Sequence, residues 1–220
     1  MNATQILSRW RSEIGDTVTP YLWSDADGYD YLNDAQNEAC RRSRLLVDST
    51  TEEVCRIDYE VDEPIYPLDS RIILVRKIRV EGLSRPLDRL SWRDLDTASP
   101  GWESHTGSVT GWVQDVQSRS VRLYRIPDAV GVAWLTVVRL PLNEIENGRD
   151  EPEIAPHLHR SLIHWMKYRA YSQDEEDKKN EPLANKHLGL FENEFGPPVT
   201  ASEEDWAQTH DSYDIWDGGR

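Results

Sequence analysis

The sequence predicts an α+β fold in which a four-helix bundle carries an inserted β-rich domain and an extended C-terminal tail. Near both ends of the chain, apolar residues recur at steps of three and four, the spacing of one face of a helix. Between these regions apolar and polar residues alternate, as in a half-buried strand. The predicted divisions are a helical bundle in residues 1–53 and 142–196, the β-rich domain in residues 54–141, and the tail in residues 197–220.

Two helices are expected in the first 53 residues. The first begins after a capping residue, Asn2 or Thr4, and ends at Gly15. Ser24 and Asp25 are expected to cap the second, which is expected to end near Asp48. Each helix has one apolar stripe for the core: Ile6, Leu7, Trp10 and Ile14 in the first, and Tyr31, Leu32, Ala35, Ala39, Leu45 and Leu46 in the second.

The β-rich domain is expected to begin at Val54, where the period changes to two. Strand-like runs separated by turn residues continue as far as Pro141. Residues 92–98 are predicted to form a short helix within this domain. The glycine- and serine-rich residues 99–112 are predicted to form a loop.

Two more helices are expected after an acidic connector. The third has Pro156 near its first turn, where proline is tolerated, and the fourth ends at Gly196. Pro197 and Pro198 prevent the fourth helix from continuing, so the tail is expected to leave the bundle in an extended form. The apolar stripes are Leu158, Leu162, Trp165, Met166 and Ala170 in the third helix, and Leu183, Ala184, His187, Leu188, Phe191 and Phe195 in the fourth.

The net charge of −15 over 220 residues restricts the possible partners. A protein that holds nucleic acid by neutralising phosphates needs a basic surface, and an anionic membrane is an equally poor partner for this chain. No apolar run approaches the roughly 20 residues that a membrane span needs. Cys40 and Cys55 have no metal-binding spacing and are expected to be reduced, structural thiols.

Three histidines close together, His157, His159 and His164, raise the question of a metal-dependent enzyme. Residues two apart on a helix, such as His157 and His159, point in different directions. The position three residues after His157, where a second metal ligand would be needed, is occupied by Arg160. The chain also has no HExxH, GxGxxG, GxxxxGK[ST] or GxSxG motif. No catalytic site, metal or cofactor is therefore expected, and replacing all three histidines with Ala should leave the metal content at background.

The nine tryptophans exceed what a core of this size is expected to hold. Trp10, Trp134 and Trp165 fit core positions, whereas Trp102 and Trp112 fall in or beside the predicted loop. The polar tail carries large apolar residues although it has no core of its own. Large aromatic residues outside a core are typical of protein–protein contacts, which predicts partner binding by Trp102 and Trp112 and by Trp206, Tyr213, Ile215 and Trp216 of the tail.

Several parts of the chain together resemble the head-to-tail adaptor (connector) proteins of tailed bacteriophages. Residues 29–50 are similar to the second helix of that family. Residues 131–145 and 152–180 resemble its closing strand, connector and third helix, and residues 184–196 resemble its last helix. The order of elements also matches, and the similarity covers most of residues 1–196.

The resemblance implies a structural virion protein rather than an enzyme. Adaptors of this family form a ring, usually of twelve copies, under the portal at the capsid vertex. The ring extends the DNA channel and docks the tail. The implied partners are further copies of the chain, the portal protein and a downstream tail or nozzle protein, and viral DNA passes through without sequence-specific binding. The implied location is the head–tail junction of the virion, after synthesis in the cytoplasm of the host bacterium.

A ring of this kind requires two different patches on each subunit, because head-to-tail interfaces are heterologous. The basic residues of the second helix are expected to face acidic residues of a neighbouring subunit, although a solvated basic face is an equally good interpretation. The tail aromatics are expected to bind the portal, and the β loops are expected to bind the next tail protein. The proposed subunit contact joins Arg41, Arg42 and Arg44 to Glu175, Glu176 and Asp177.

A second interpretation is a carbohydrate- or receptor-binding β module on a helical stalk. In that case the important contacts would be Trp92, Trp102 and Trp112, and the protein would bind glycans. An adaptor would instead associate with portal or tail proteins.

Overall fold

The computed structural model describes residues 1–114, 117–173 and 179–200, and it has a mixed α+β fold. Within these residues there are six α-helices, eight strands in two sheets, and single 3₁₀ turns at Trp102–Ser104 and Pro156–Leu158. The helices are α1 (Ala3–Ile14), α2 (Asp25–Ser43), α3 (Glu52–Cys55), α4 (Trp92–Ala98), α5 (His159–Tyr171) and α6 (Glu181–Phe195). The strands are β1 (Leu46–Asp48), β2 (Arg56–Tyr59), β3 (Ile65–Pro67), β4 (Ile72–Val80), β5 (Asp88–Arg89), β6 (Gly111–Gln114), β7 (Ser120–Tyr124) and β8 (Gly131–Arg139).

The chain separates into two compact units. One contains Met1–Leu46 and Arg139–Val199, and the other contains Val47–Val138. In the first unit, which we call the helical unit, α5 contacts α1, α2 and α6. The apolar stripes predicted from the sequence meet there in one core, in which Ile6, Trp10, Leu32, Ala35, Leu162, Met166 and Phe191 are fully buried.

Local side-chain chemistry fixes the ends of the long helices. Asn2 caps α1 and Ser24 caps α2, each in a capping box with the residue three positions on. Gly15 follows α1 with φ of 80°, a left-handed conformation that glycine adopts without strain. Asn180 caps α6 through its side chain. The prediction of both N-caps and of the Gly15 stop is therefore confirmed.

The end of α2 differs from the prediction. The helix ends at Ser43, because Arg44 takes a left-handed conformation and its N–H donates to the carbonyl oxygen of Cys40. Leu46–Asp48 form strand β1, and Val54 belongs to the short helix α3 rather than to a strand. The error arose because the adjacent pair Leu45 and Leu46 suits a helical stripe, and no glycine or proline marks the change of structure.

The second unit, which we call the β unit, contains most of the two four-stranded sheets. In the first sheet β8 pairs with β1, β2 and β4; the β2 pairing is antiparallel and places Arg56 opposite Trp134. The second sheet has the order β3-β7-β6-β5. Strand β6 is antiparallel to β7 but parallel to β5, and α4 lies in the connection between β5 and β6 that a parallel pair requires. The predicted helix over residues 92–98 is confirmed as α4.

Candidate functional site

An exposed apolar loop joins α1 to α2 in the helical unit. We call residues 16–23 the apolar loop. Val18 is 76% exposed, and nearly half the surfaces of Tyr21 and Leu22 are also accessible to solvent. Exposed apolar residues that cluster on one short segment are characteristic of binding surfaces. By sequence alone, Pro20 to Trp23 predict only a turn between the two helices.

A buried ion pair holds the apolar loop in place. Asp16 lies at the start of the loop, where its carboxylate accepts hydrogen bonds from the N–H groups of Leu22 (2.8 Å) and Trp23 (3.3 Å). Nη1 of Arg11 donates to the same carboxylate at 2.7 Å and to the carbonyl oxygen of Trp23 at 2.9 Å. Arg11 and Asp16 are both buried. Their contacts fix the two ends of the loop against α1.

Arg11 also joins the loop to α2. Its Nη2 donates to the exposed carboxylate of Asp25 at 2.7 Å. The ring of Tyr21 lies over the guanidinium, with the carbon of that group 3.9 Å from the ring centroid. The loop therefore presents its apolar side chains from a fixed backbone, and a fixed backbone loses less conformational entropy when it binds a partner.

The three histidines do not form a common site. His157 is exposed in the 3₁₀ turn before α5. His159 is buried; one ring nitrogen lies 2.8 Å from the carbonyl oxygen of Ile154, and the other lies 2.9 Å from the backbone nitrogen of Met1. His164 points away from both and contacts α6. In the described ranges, no group of three or more His, Cys, Asp or Glu side chains could hold a metal ion.

The partner of His164 is His187 of α6, a pairing that the sequence alone does not predict. Their Nδ1 atoms are 3.2 Å apart, and the two rings are nearly parallel with centroids 5.3 Å apart. Burial, together with the neighbouring cations Lys167 and Lys186 and the ring of His164, lowers the pKa of His187 to about 4, against the opposing effect of the Glu13 carboxylate. Burial also lowers the pKa of His164. Both rings are therefore neutral at pH 7.

Replacing His187 with Gln should reduce the loss of stability in acid. The folded pKa of about 4 lies below the ordinary value of 6.5, so the unfolded chain binds the proton first as the pH falls. The wild-type free energy of unfolding should therefore fall between pH 6.5 and pH 4, and Gln should remove about 1 kcal/mol of that fall, because the ring is only partly buried. Urea unfolding at several pH values measures this difference, with the exposed, non-titrating change Asn185→Gln as control. An unchanged pH dependence in His187→Gln would contradict the assignment.

The two cysteines, Cys40 and Cys55, are buried. Burial, together with the nearby carboxylate of Glu153, raises the pKa of the Cys40 thiol to about 12. A thiol that remains protonated at neutral pH is a poor nucleophile and a poor metal ligand. Cys40 is therefore a structural residue of α2.

The interpretation of Trp102 and Trp112 as exposed loop residues is wrong. Trp102 is buried in the 3₁₀ turn, where it packs with Leu95 and Val113 and its indole N–H donates to Asp96 at 2.8 Å. Trp112 is only 1% exposed and lies on β6 instead of in a loop. Neither indole is available to anchor a partner without a rearrangement of the β unit.

One of the three basic residues predicted to face a neighbouring subunit, Arg42, is held by contacts within its own chain. The side chain of Arg42 is only 3% exposed; its Nε donates to Glu38 at 2.8 Å and its Nη1 donates to the carbonyl oxygen of Gly196 at 3.1 Å. Arg42 thus joins α2 to the end of α6 within one chain and is not free to face a neighbour. Arg41 is exposed with a long contact of 3.5 Å to Glu38, and Arg44 caps α2. The predicted acidic partners, Glu175, Glu176 and Asp177, lie outside the described residues.

The predicted tail anchors Trp206, Tyr213, Ile215 and Trp216 also lie outside the described residues. In the part of the chain that the structure describes, no helix combines the length and apolar character that a membrane crossing requires.

The comparison with protein families covers nearly the whole chain. A family model described as "SU10 adaptor protein" matches residues 1–212. No curated protein matches the chain. The family match confirms the resemblance to phage head-to-tail adaptors that was seen in the helices and the closing strand. The chain therefore belongs to the SU10 adaptor protein family and is a structural protein of a phage virion.

Proposed function

We propose that this adaptor forms a ring between the portal and the tail, where it extends the DNA channel and docks the tail. The observation that carries the proposal is the family match over residues 1–212. Twelve copies form the ring, and the packed helices α1, α2, α5 and α6 act as a four-helix bundle that forms its body. The proposed location is the head–tail junction, after synthesis in the host cytoplasm.

The charge of the chain is compatible with a DNA channel. A net charge of −15 opposes tight binding to phosphates, so DNA can pass without being held. Membership of an adaptor family and a channel role both favour a non-catalytic protein. The glycan-binding alternative has lost support, because two of its three contact tryptophans, Trp102 and Trp112, are buried.

The tail, residues 197–220, is proposed to bind the portal in an extended form. Its support is the sequence: two prolines follow α6, and the polar segment that follows carries Trp206, Tyr213, Ile215 and Trp216. A polar segment with a few large aromatics commonly orders on a partner, with the aromatics as anchors. The β unit is proposed to project towards the phage tail and to contact the next tail protein. Residues other than Trp102 and Trp112 would make that contact.

Removal of residues 199–220 tests this proposal. The truncated protein should keep the far-ultraviolet circular dichroism of a folded helical unit, because α6 ends at Phe195, but it should no longer bind purified portal. Replacing Trp206 and Trp216 with Ala in the full chain should weaken binding by about 2 kcal/mol or more for each anchor. Raised salt should weaken binding only in part, because apolar contacts are not screened.

The matched control for the tail is the double variant Gln208→Ala and Ser212→Ala, which removes polar side chains from the same segment. Isothermal titration of portal with each variant gives the affinities. Portal binding that survives truncation would refute the role of the tail and would move the docking surface to the helical unit.

A further inference from the structure

We propose that the apolar loop of one copy docks on a basic segment of the β unit of the next copy, forming the head-to-tail contact of the ring. We call residues 76–93 the basic segment; it runs from β4 through β5 into α4. This inference rests on the proposed ring and assigns the two surfaces that join its subunits.

The basic segment stands out in an acidic chain. It contains six Arg or Lys residues and two carboxylates, although the whole chain has a net charge of −15. Arg76, Arg79 and Arg85 are exposed, and within the described ranges none of them forms an ion pair. Unpaired cations on a chain with a surplus of carboxylates are available to an acidic partner.

The basic segment also exposes apolar side chains. Leu83 and Trp92 each have nearly half of their surface accessible to solvent. The guanidinium carbon of Arg93 lies 5.3 Å from the centroid of the Trp92 ring. Tryptophan and arginine are the residue types most often found at the energetic centre of protein interfaces. Exposed apolar side chains and exposed cations thus occur together along this segment.

The apolar loop and the start of α2 have the opposite charge. Residues 16–30 contain four carboxylates and no lysine or arginine, so this region stays acidic although Arg11 pairs with Asp16 and Asp25. Asp25 and Asp30 of α2 are both exposed; Asp25 lines the same pocket as Tyr21, and its carboxylate also pairs with Arg11. Carboxylates in the first turn of a helix also favour the helix itself, but that role does not explain the exposed apolar residues. The two surfaces are therefore complementary in both charge and polarity.

A second copy of the chain is the occupant that these observations favour. Every copy carries both surfaces, one on each unit, so a contact between unlike patches can pass from copy to copy and close into the proposed ring. The ion pair of Arg11 and Asp16 holds the apolar loop in a fixed shape before binding. The exposed Leu83 and Trp92 favour a protein partner over DNA phosphates for the basic segment.

Two variants test the contact. A loop variant carries Val18→Asp and Leu22→Asp, and a segment variant carries Arg76→Glu and Arg85→Glu. All four side chains are exposed, so both variants should keep the circular dichroism and thermal midpoint of the wild type. A control variant, Arg149→Glu and Arg160→Glu, changes the net charge as much as the segment variant does but at exposed positions of the helical unit.

Sedimentation velocity at low ionic strength, with and without portal, measures assembly. The wild type and the control variant should form higher oligomers, and either test variant alone should self-associate at least about tenfold more weakly. An equimolar mixture of the two test variants should form a one-to-one dimer and nothing larger, because each retains only one intact surface.

The remaining outcomes separate the possible errors. If both test variants assemble like the wild type, the proposed contact is wrong although the ring stands. If the wild type forms no oligomer even on portal, the proposed ring itself is wrong. If the segment variant assembles normally but loses affinity for a fluorescent DNA duplex, the basic segment contacts phosphates and the inference is overturned.

Discussion

Replacing Arg11 with Met is expected to lower the free energy of unfolding of the helical unit by about 3 kcal/mol. The substitution removes the buried partner of the Asp16 carboxylate, which lies 2.7 Å from Nη1 of Arg11. An unpaired buried charge is strongly destabilising, but Asp16 keeps the N–H donors of Leu22 and Trp23, so the loss should lie near the lower end of the usual range. Urea unfolding followed by far-ultraviolet circular dichroism measures the loss.

The control is another arginine of the same helix. Arg9 is exposed and forms an ion pair with Glu13 one turn further on, at 3.0 Å. Arg9→Ala should change stability by no more than about 0.5 kcal/mol, because an exposed pair of this kind contributes little. In addition, Arg11→Met and Asp16→Asn together should cost less than the sum of the two single changes. Equal effects of Arg11→Met and Arg9→Ala would show that the buried pair does not hold the apolar loop.

Replacing Trp112 with Ala should destabilise the β unit by about 3–5 kcal/mol, as removal of a large side chain from a core commonly does. Trp112 is 1% exposed on β6, and the guanidinium of Arg89 lies over its ring. Trp92→Ala should change stability by about 0.5 kcal/mol or less, because Trp92 is 47% exposed. Denaturant unfolding of the two purified variants measures this contrast.

The same Trp112→Ala variant, tested both for stability and for attachment of phage tails, decides between two roles for Trp112. If Trp112 is a core residue, its replacement unfolds the β unit, and phage tails fail to attach only because that unit is unfolded. A Trp112→Ala protein that folds with wild-type stability but fails to attach tails would instead restore the prediction of a direct contact. Trp102 is also buried, so deleting residues 100–111 should remove part of a core and destabilise the β unit.

The sequence by itself determined the features that depend on neighbouring residues. The caps Asn2 and Ser24 and the left-handed Gly15 were predictable, because a capping side chain bonds N–H groups two or three residues away. The α+β class followed from the spacing of apolar residues, which reflects the period of each element. The family resemblance came from the order of these elements and is confirmed over nearly the whole chain.

Some local predictions were wrong where the same residues suit two structures. Leu45 and Leu46 fit both a helix and a strand, and only the pairing of β1 with β8 decides for the strand. Trp112 stands where a glycine- and serine-rich run meets a predicted strand, and its burial on β6 depends on pairing with β7, where Leu123 lies opposite. Strand pairing joins distant residues, so a short window of sequence does not reveal it.

Only the tertiary structure decided which polar and apolar residues are buried. His164 finds its partner, His187, on another helix, and Arg42 reaches the end of α6 instead of solvent. The apolar loop was invisible as a candidate site, because its sequence is that of an ordinary turn and its fixed shape comes from the burial of Arg11 and Asp16. Burial is a property of packed elements rather than of single residues, so the sequence predicted the elements of the adaptor but not the surfaces available to its partners.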